Sequence, residues 1–85
     1  MIIHKLLEGG YRFQIAKDGK QNFWPRLILR GVKEGWLTLN DDYVTLKSVD
    51  GDIKFKILHS PGERIEDGKR VVSNVFECVR EGSGG

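Results

Sequence analysis

His4, His59 and Cys78 are the side chains from which a nucleophile and its base would be drawn, and Asp41-Asp42 and Asp50-Gly51-Asp52 are the acids best spaced for a cation. A catalytic thiolate needs a base beside it and a motif that positions it, and no such motif surrounds Cys78. Metal ligation needs paired spacings such as Cys-x-x-Cys or His-x-x-x-His, which this chain lacks. Its Asp-rich segments are without the twelve-residue loop and closing glutamate that calcium takes. These acids read as turn residues, the two histidines as strand ends with partly solvated rings, and Cys78 as a small apolar group in the last strand. Gly9-Gly10 leads into a strand instead of a helix, and Gly31 and Gly35 lack the lysine and hydroxyl of a phosphate loop. The expectation is a non-enzymatic binding module with no catalytic residue, no metal and no cofactor.

Charge and aromatic content point to what is bound. Residues 1 to 40 carry seven Lys/Arg against three acids (+4) and residues 41 to 85 seven against nine (−2), which together make the net +2 of the chain. The basic part also holds five of the eight aromatics: Tyr11, Phe13, Phe23, Trp24 and Trp36. Small β domains hold single-stranded nucleic acid by combining cations that track the backbone with aromatics on which bases stack. Tyr11 and Phe13 are expected in the core, as they share the apolar face of their strand. If Phe23 to Arg30 is a strand with Phe23, Leu27 and Leu29 inward, then Trp24, Arg26, Ile28 and Arg30 share the other face. Trp24, Arg26 and Arg30 would then hold a base and two phosphates. Lys54 and Lys56, with Lys47, form a second cationic face. The nucleic-acid reading therefore names Trp24, Arg26, Arg30, Trp36, Lys54 and Lys56, with limited sequence preference. The same residues fit a second reading, a protein–protein interaction module or small inhibitor, with Trp24 and Trp36 as anchors and the loop from Ser60 to Arg70 for specificity.

Strands must carry these residues. Val, Ile, Thr and the aromatics supply 24 residues, alanine one, and eleven glycines punctuate the chain. Tyr11, Phe13 and Ile15 alternate with polar neighbours between Gly9-Gly10 and Asp18-Gly19, and Ile2 to Leu7 precede them, which predicts an N-terminal hairpin. Tyr43 to Val49 and Ile53 to Ile57 flank Asp50-Gly51 and predict a second. Phe23 to Arg30, Trp36 to Leu39 and Val71 to Arg80 complete six or seven short strands. The stretch from Pro25 to Gly35 also fits a short helix, with Pro at its first turn and Gly past its end. Ser60-Pro61-Gly62-Glu63 has capping-box spacing, so one helical turn is expected over residues 61 to 66. The fold class is all-β, a small antiparallel barrel or sandwich of SH3-like or OB-like type. Its expected core is Ile3, Phe13, Ile15, Leu27, Leu29, Leu37, Leu39, Val44, Leu46, Ile53, Phe55, Ile57, Val75 and Val79.

Leu, Ile, Val and Phe number 26 of 85 residues, enough for one folded domain, expected over residues 1 to 80 with a flexible Gly/Ser tail at 81 to 85. One cysteine excludes an intramolecular disulfide, and no apolar run is long enough for a membrane span or signal peptide, so a cytoplasmic location without membrane contact is expected. An exposed edge strand offers a route to a homodimer.

Gly84-Gly85, and Arg26 to Gly31 followed by Leu39-Asn40-Asp41-Asp42-Tyr43, resemble the strand, turn and C-terminal Gly-Gly of ubiquitin-like modifiers. The resemblance covers about a quarter of the chain. It implies a third function, activation of the carboxylate of Gly85 by a partner enzyme. The long helix of that family has no counterpart between Ala16 and Pro25, and some forty residues follow Tyr43 where the family has far fewer.

Overall fold

The computed structural model describes residues 2–81, so the Gly84-Gly85 tail lies outside the described residues. In chain order the elements are β1 (Ile2–Leu6), β2 (Arg12–Ala16), β3 (Lys20–Phe23), α1 (Pro25–Glu34), β4 (Leu37–Leu39), β5 (Tyr43–Ser48), β6 (Gly51–His59), β7 (Gly62–Glu66), β8 (Lys69–Ser73) and β9 (Phe76–Arg80). Both expected hairpins form, β1 with β2 and β5 with β6. Alternation of apolar and polar residues fixes their register, since a one-residue slip would turn Phe13 and Ile15, or Ile53 and Phe55, out to solvent.

A five-stranded antiparallel sheet in the order β3-β9-β6-β5-β4 forms the body. Phe23, Leu37, Val44, Leu46, Ile53, Phe55 and Cys78 point from it into the core, where they meet Leu7, Phe13 and Ile15 of the N-terminal hairpin region and Ile28 of α1. The hairpin is joined to β5 at a single bridge, Leu7 to Ser48, flanked by backbone bonds from Glu8 N–H to the Lys47 carbonyl and from Val49 N–H to the Leu6 carbonyl, each 2.9 Å. No ladder joins β2 to β3, so the all-β expectation holds as a mostly β, antiparallel molecule but the strands do not close into a barrel.

The segment from Pro25 to Glu34 is a helix, which corrects the strand reading. Pro25 occupies its first turn, where a missing N–H costs nothing. Gly35 ends it in the left-handed region (φ 86°), and the Gly35 and Trp36 N–H groups both donate to the Gly31 carbonyl, at 2.9 and 3.1 Å. The 3.6-residue period buries Ile28 and Gly31 and leaves Leu29 71 % exposed, so Leu29 is not core. Leu39 (38 % exposed) also leaves the expected core, and Val75 and Val79 are only half-buried. Leu7, Phe23, Ile28, Trp36 and Cys78 take their place in the core. Burial pushes the Cys78 thiol up to about 11, which keeps it protonated and unreactive.

Residues 62–66 form a strand, not a helical turn. β7 pairs with β8 through Asp67 (φ 53°) and Gly68 (φ 73°), the two left-handed residues of a type I′ turn, and the ladder outcompetes a helix too short to nucleate. The expected strand over Val71 to Arg80 splits for the same reason: its first part pairs locally with β7 and its second part with β3 and β6.

Gly31 lets α1 approach β4. A Cβ built there lies 2.4 Å from the Leu37 Cβ and 2.9 Å from both the Leu37 Cδ1 and the Trp36 ring. The Leu37 Cβ is fixed to the strand backbone and cannot swing away. Gly31→Ala is expected to destabilise the fold by about 2–3 kcal/mol despite the better helix propensity of alanine. Gly35→Ala meets no neighbour within 4 Å and carries only its φ penalty, about 1 kcal/mol. Urea denaturation of both variants checks this, and a smaller loss for Gly31→Ala than for Gly35→Ala would show that the helix has room to move.

Candidate nucleic-acid interface

The outer face of the five-stranded sheet is built by the alternation that fills the core. With Phe23, Phe55, Val44 and Cys78 inward, their neighbours Lys20, Asn22, Lys54, Lys56, Tyr43 and Val79 face outward. Register places Lys20, Val79, Lys56 and Tyr43 in one row across β3, β9, β6 and β5. Lys54, Thr45 and Thr38 make the next row. Lys54 and Lys56 are about 7 Å apart along their strand, and Lys20 lies two strands from Lys56, about 10 Å. The Lys54 ammonium sits 4.1 Å from the centroid of the Tyr43 ring, a cation–π contact that keeps both groups on the surface.

The electrostatics of this face favour an anion. Among the described residues none of Lys20, Lys54 or Lys56 forms a salt bridge. Three acids lie on or beside it. Glu77 is engaged by Arg64 of β7 at 3.2 Å, Glu81 follows β9 opposite Lys54, its backbone N–H donating to the Lys54 carbonyl, and Asp52 faces Lys47. Lys47 is offset by Asp52 directly across the ladder, so it adds less than the sequence suggests.

Trp24 extends the face. Its backbone is extended (φ −79°, ψ 148°) and continues β3, so Lys20, Asn22 and Trp24 project to one side at successive alternate positions. The indole is 57 % exposed. Trp24 therefore shares a surface with Lys54 and Lys56, but not through the strand face expected for Arg26 and Arg30. Those arginines lie one turn apart on α1. Arg26 is exposed and forms no ion pair among the described residues, whereas Arg30 donates from Nε to Glu34 Oε2 at 2.8 Å and lies 5.9 Å from the Tyr11 centroid.

Trp36 is not a surface anchor. It is 2 % exposed, Tyr11 stacks on it at 5.3 Å between ring centroids, and its Nε1 donates to Glu34 Oε1 at 3.2 Å. The hydrogen bonds from Arg30 and Trp36 hold the Glu34 carboxyl below its ordinary pKa. Arg30, Tyr11, Trp36 and Glu34 thus form a polar and aromatic clasp joining α1 to the N-terminal hairpin. Tyr11 covers Trp36 from outside and is itself 36 % exposed, so it is a lid on the core, not a member of it.

Lys20, Asn22 and Tyr43 belong to the face and were missed as functional residues. Lys20 and Asn22 have the same period-2 spacing with Trp24 that Lys54 and Lys56 have with each other, but they fall just after the Asp18-Gly19 turn, in a segment with a single buried apolar residue. Tyr43 was readable as a strand residue; only its cross-strand partner Lys56 shows that it joins the lysines.

On the other side of β3, a groove of about 510 Å³ runs between β2 and β3, with Tyr11, Arg12, Gln14, Gln21, Asn22 and Trp24 in its walls. Among the described residues no three of His, Cys, Asp or Glu are grouped to hold a metal ion, and no helix is long and apolar enough to cross a membrane. No protein-family model matches the chain, and no curated protein or solved structure is similar enough to it to count as a match.

Proposed function

We propose that this protein is a non-enzymatic nucleic-acid-binding module that holds a single strand across the outer face of its five-stranded sheet. One observation carries the reading: the exposed Lys20, Lys54 and Lys56 share a sheet face with Tyr43 and Trp24 and have no salt-bridge partner among the described residues. Cations on such a face neutralise phosphates, and the exposed Trp24 ring offers a stacking surface worth about 1–3 kcal/mol per base, beside a half-buried Tyr43 ring that already holds the Lys54 ammonium. An open antiparallel sheet leaves room for unpaired bases to lie flat, which favours single strands over a duplex. Arg26, exposed just after Trp24, would add a further phosphate contact at the edge of the face.

Fluorescence anisotropy with labelled single-stranded and duplex oligonucleotides at about 50 and 200 mM salt tests this. With three to five phosphates neutralised, affinity for a single strand is expected to fall roughly 20- to 130-fold across that range. Absence of binding at the lower salt would refute the reading.

A second reading, docking to a protein, has α1 on its side. Leu29 and Val32, at 71 % and 52 % exposed, form an uncovered apolar stripe beside the basic edge of the helix. Such a partner would be lost on Leu29→Asp and show little salt dependence.

A further inference from the structure

We infer that the groove between β2 and β3 is a nucleobase pocket that gives the module a base preference; this rests on the single-strand reading of the adjoining sheet face. The two strands leave a tight turn, closed by the Gly19 N–H bond to the Ala16 carbonyl at 2.9 Å, and then part company, β2 to pair with β1 and β3 to pair with β9. Their facing edges have no ladder between them, so backbone donors and acceptors are left toward the gap.

The walls of that gap suit a flat heterocycle. Trp24 supplies open aromatic surface, Tyr11 a ring already stacked on Trp36, and Gln14, Gln21 and Asn22 supply three carboxamides. None of these three amides hydrogen-bonds to a protein side chain or backbone among the described residues. A carboxamide pairs a donor with an acceptor at the spacing presented by base edges, which is why Asn and Gln read adenine in two-point contacts. Arg12 is the one charged residue of the lining, and no carboxylate is present in it. That polarity accepts a phosphate beside the base.

A short extended peptide is the competing occupant, because unpaired strand edges also recruit strands. Continuity decides for the base. Asn22 and Trp24 belong both to the groove and to the lysine-bearing face, so a strand crossing Lys56 and Lys20 toward the sheet edge arrives at the groove with its next base.

The test is binding of the full chain to homopolymers of dA, dC and dT, about twelve nucleotides long, by anisotropy at about 50 mM salt. The best and worst homopolymers are expected to differ at least roughly tenfold in Kd, and Gln14→Ala and Asn22→Ala are each expected to cut that ratio at least about fivefold. Lys56→Ala is expected to weaken all three sequences by the same factor. Thermal melts confirm that the amide variants fold, as Gln14 and Asn22 are exposed. Equal affinity for all homopolymers, as a peptide groove would give, or a ratio unchanged in both amide variants, overturns the pocket and leaves the lysine face standing. Binding to none of them overturns both.

Discussion

Phe23→Ala is expected to cost about 3–5 kcal/mol of stability, the range for truncating a fully buried aromatic. Phe23 is 0 % exposed and stands between two other rings: stacked on Phe13 of β2 at 5.7 Å, and edge-on to Phe55 of β6 at 5.2 Å and 73°. This column spans the place where the ladder is interrupted between β2 and β3. Side-chain packing there does what backbone hydrogen bonds do elsewhere, so the cavity left by the truncated side chain cannot be closed by a simple shift of one strand. A domain of this size has roughly 4–13 kcal/mol in all, so the variant would be marginal at body temperature, with Tm lowered on the order of 20 °C. Phe23→Leu keeps most of the volume and should lose less than about 2 kcal/mol. Thermal and urea unfolding measure both, and a loss under about 1 kcal/mol for Phe23→Ala would mean that the hairpin is not held to the sheet through these rings.

Reversing the charge of Lys20, Lys54 and Lys56 together to glutamate is expected to weaken single-strand binding roughly 10²- to 10⁴-fold at low salt, as three attractions of about 1 kcal/mol each become repulsions of similar size. The slope of log K against log salt should fall by about two, the share of three phosphates on a single strand. Stability should fall by no more than about 1 kcal/mol, since the three side chains are exposed and the substitution breaks no salt bridge among the described residues, only the Lys54–Tyr43 cation–π contact. A matched triple, Lys17, Lys33 and Lys69 to glutamate, imposes the same change of net charge away from the sheet face. If both triples weaken binding equally, the overall field acts and the face does not. If only the first does, the sheet surface is the contact, and the base preference of the groove becomes the next quantity to map.

Much of the local structure was legible in the residues. Alternation around Gly9-Gly10 and Asp50-Gly51 was enough for two hairpins, because each pairs segments a few residues apart and the glycines meet the turn's backbone demand. Lys54 and Lys56 could be placed on the surface for the same reason: Ile53, Phe55 and Ile57 leave them no other side. Trp36 could not be placed. An isolated Trp before a strand reads equally as anchor or core, and its burial depends on Tyr11, far earlier in the chain, stacking over it.

The amino-acid sequence by itself determined a mostly β chain, its two local hairpins, and the inward and outward sides of β2 and β6, with Lys54 and Lys56 outward. Tertiary structure decided the rest. Leu27-Ile28-Leu29 is apolar enough for a buried strand or a helix; in the helix that forms, Ile28 and Gly31 turn to the core and the bare backbone of Gly31 packs against Trp36 and Leu37. The pairing of β3 with β9, which lines up Lys20 with Lys56 and leaves β2 apart from β3, joins residues from opposite ends of the chain. Periodicity reports which side of a strand is apolar and carries no information about its neighbour, so the lysine row and the groove beside it exist only once the distant strands have met.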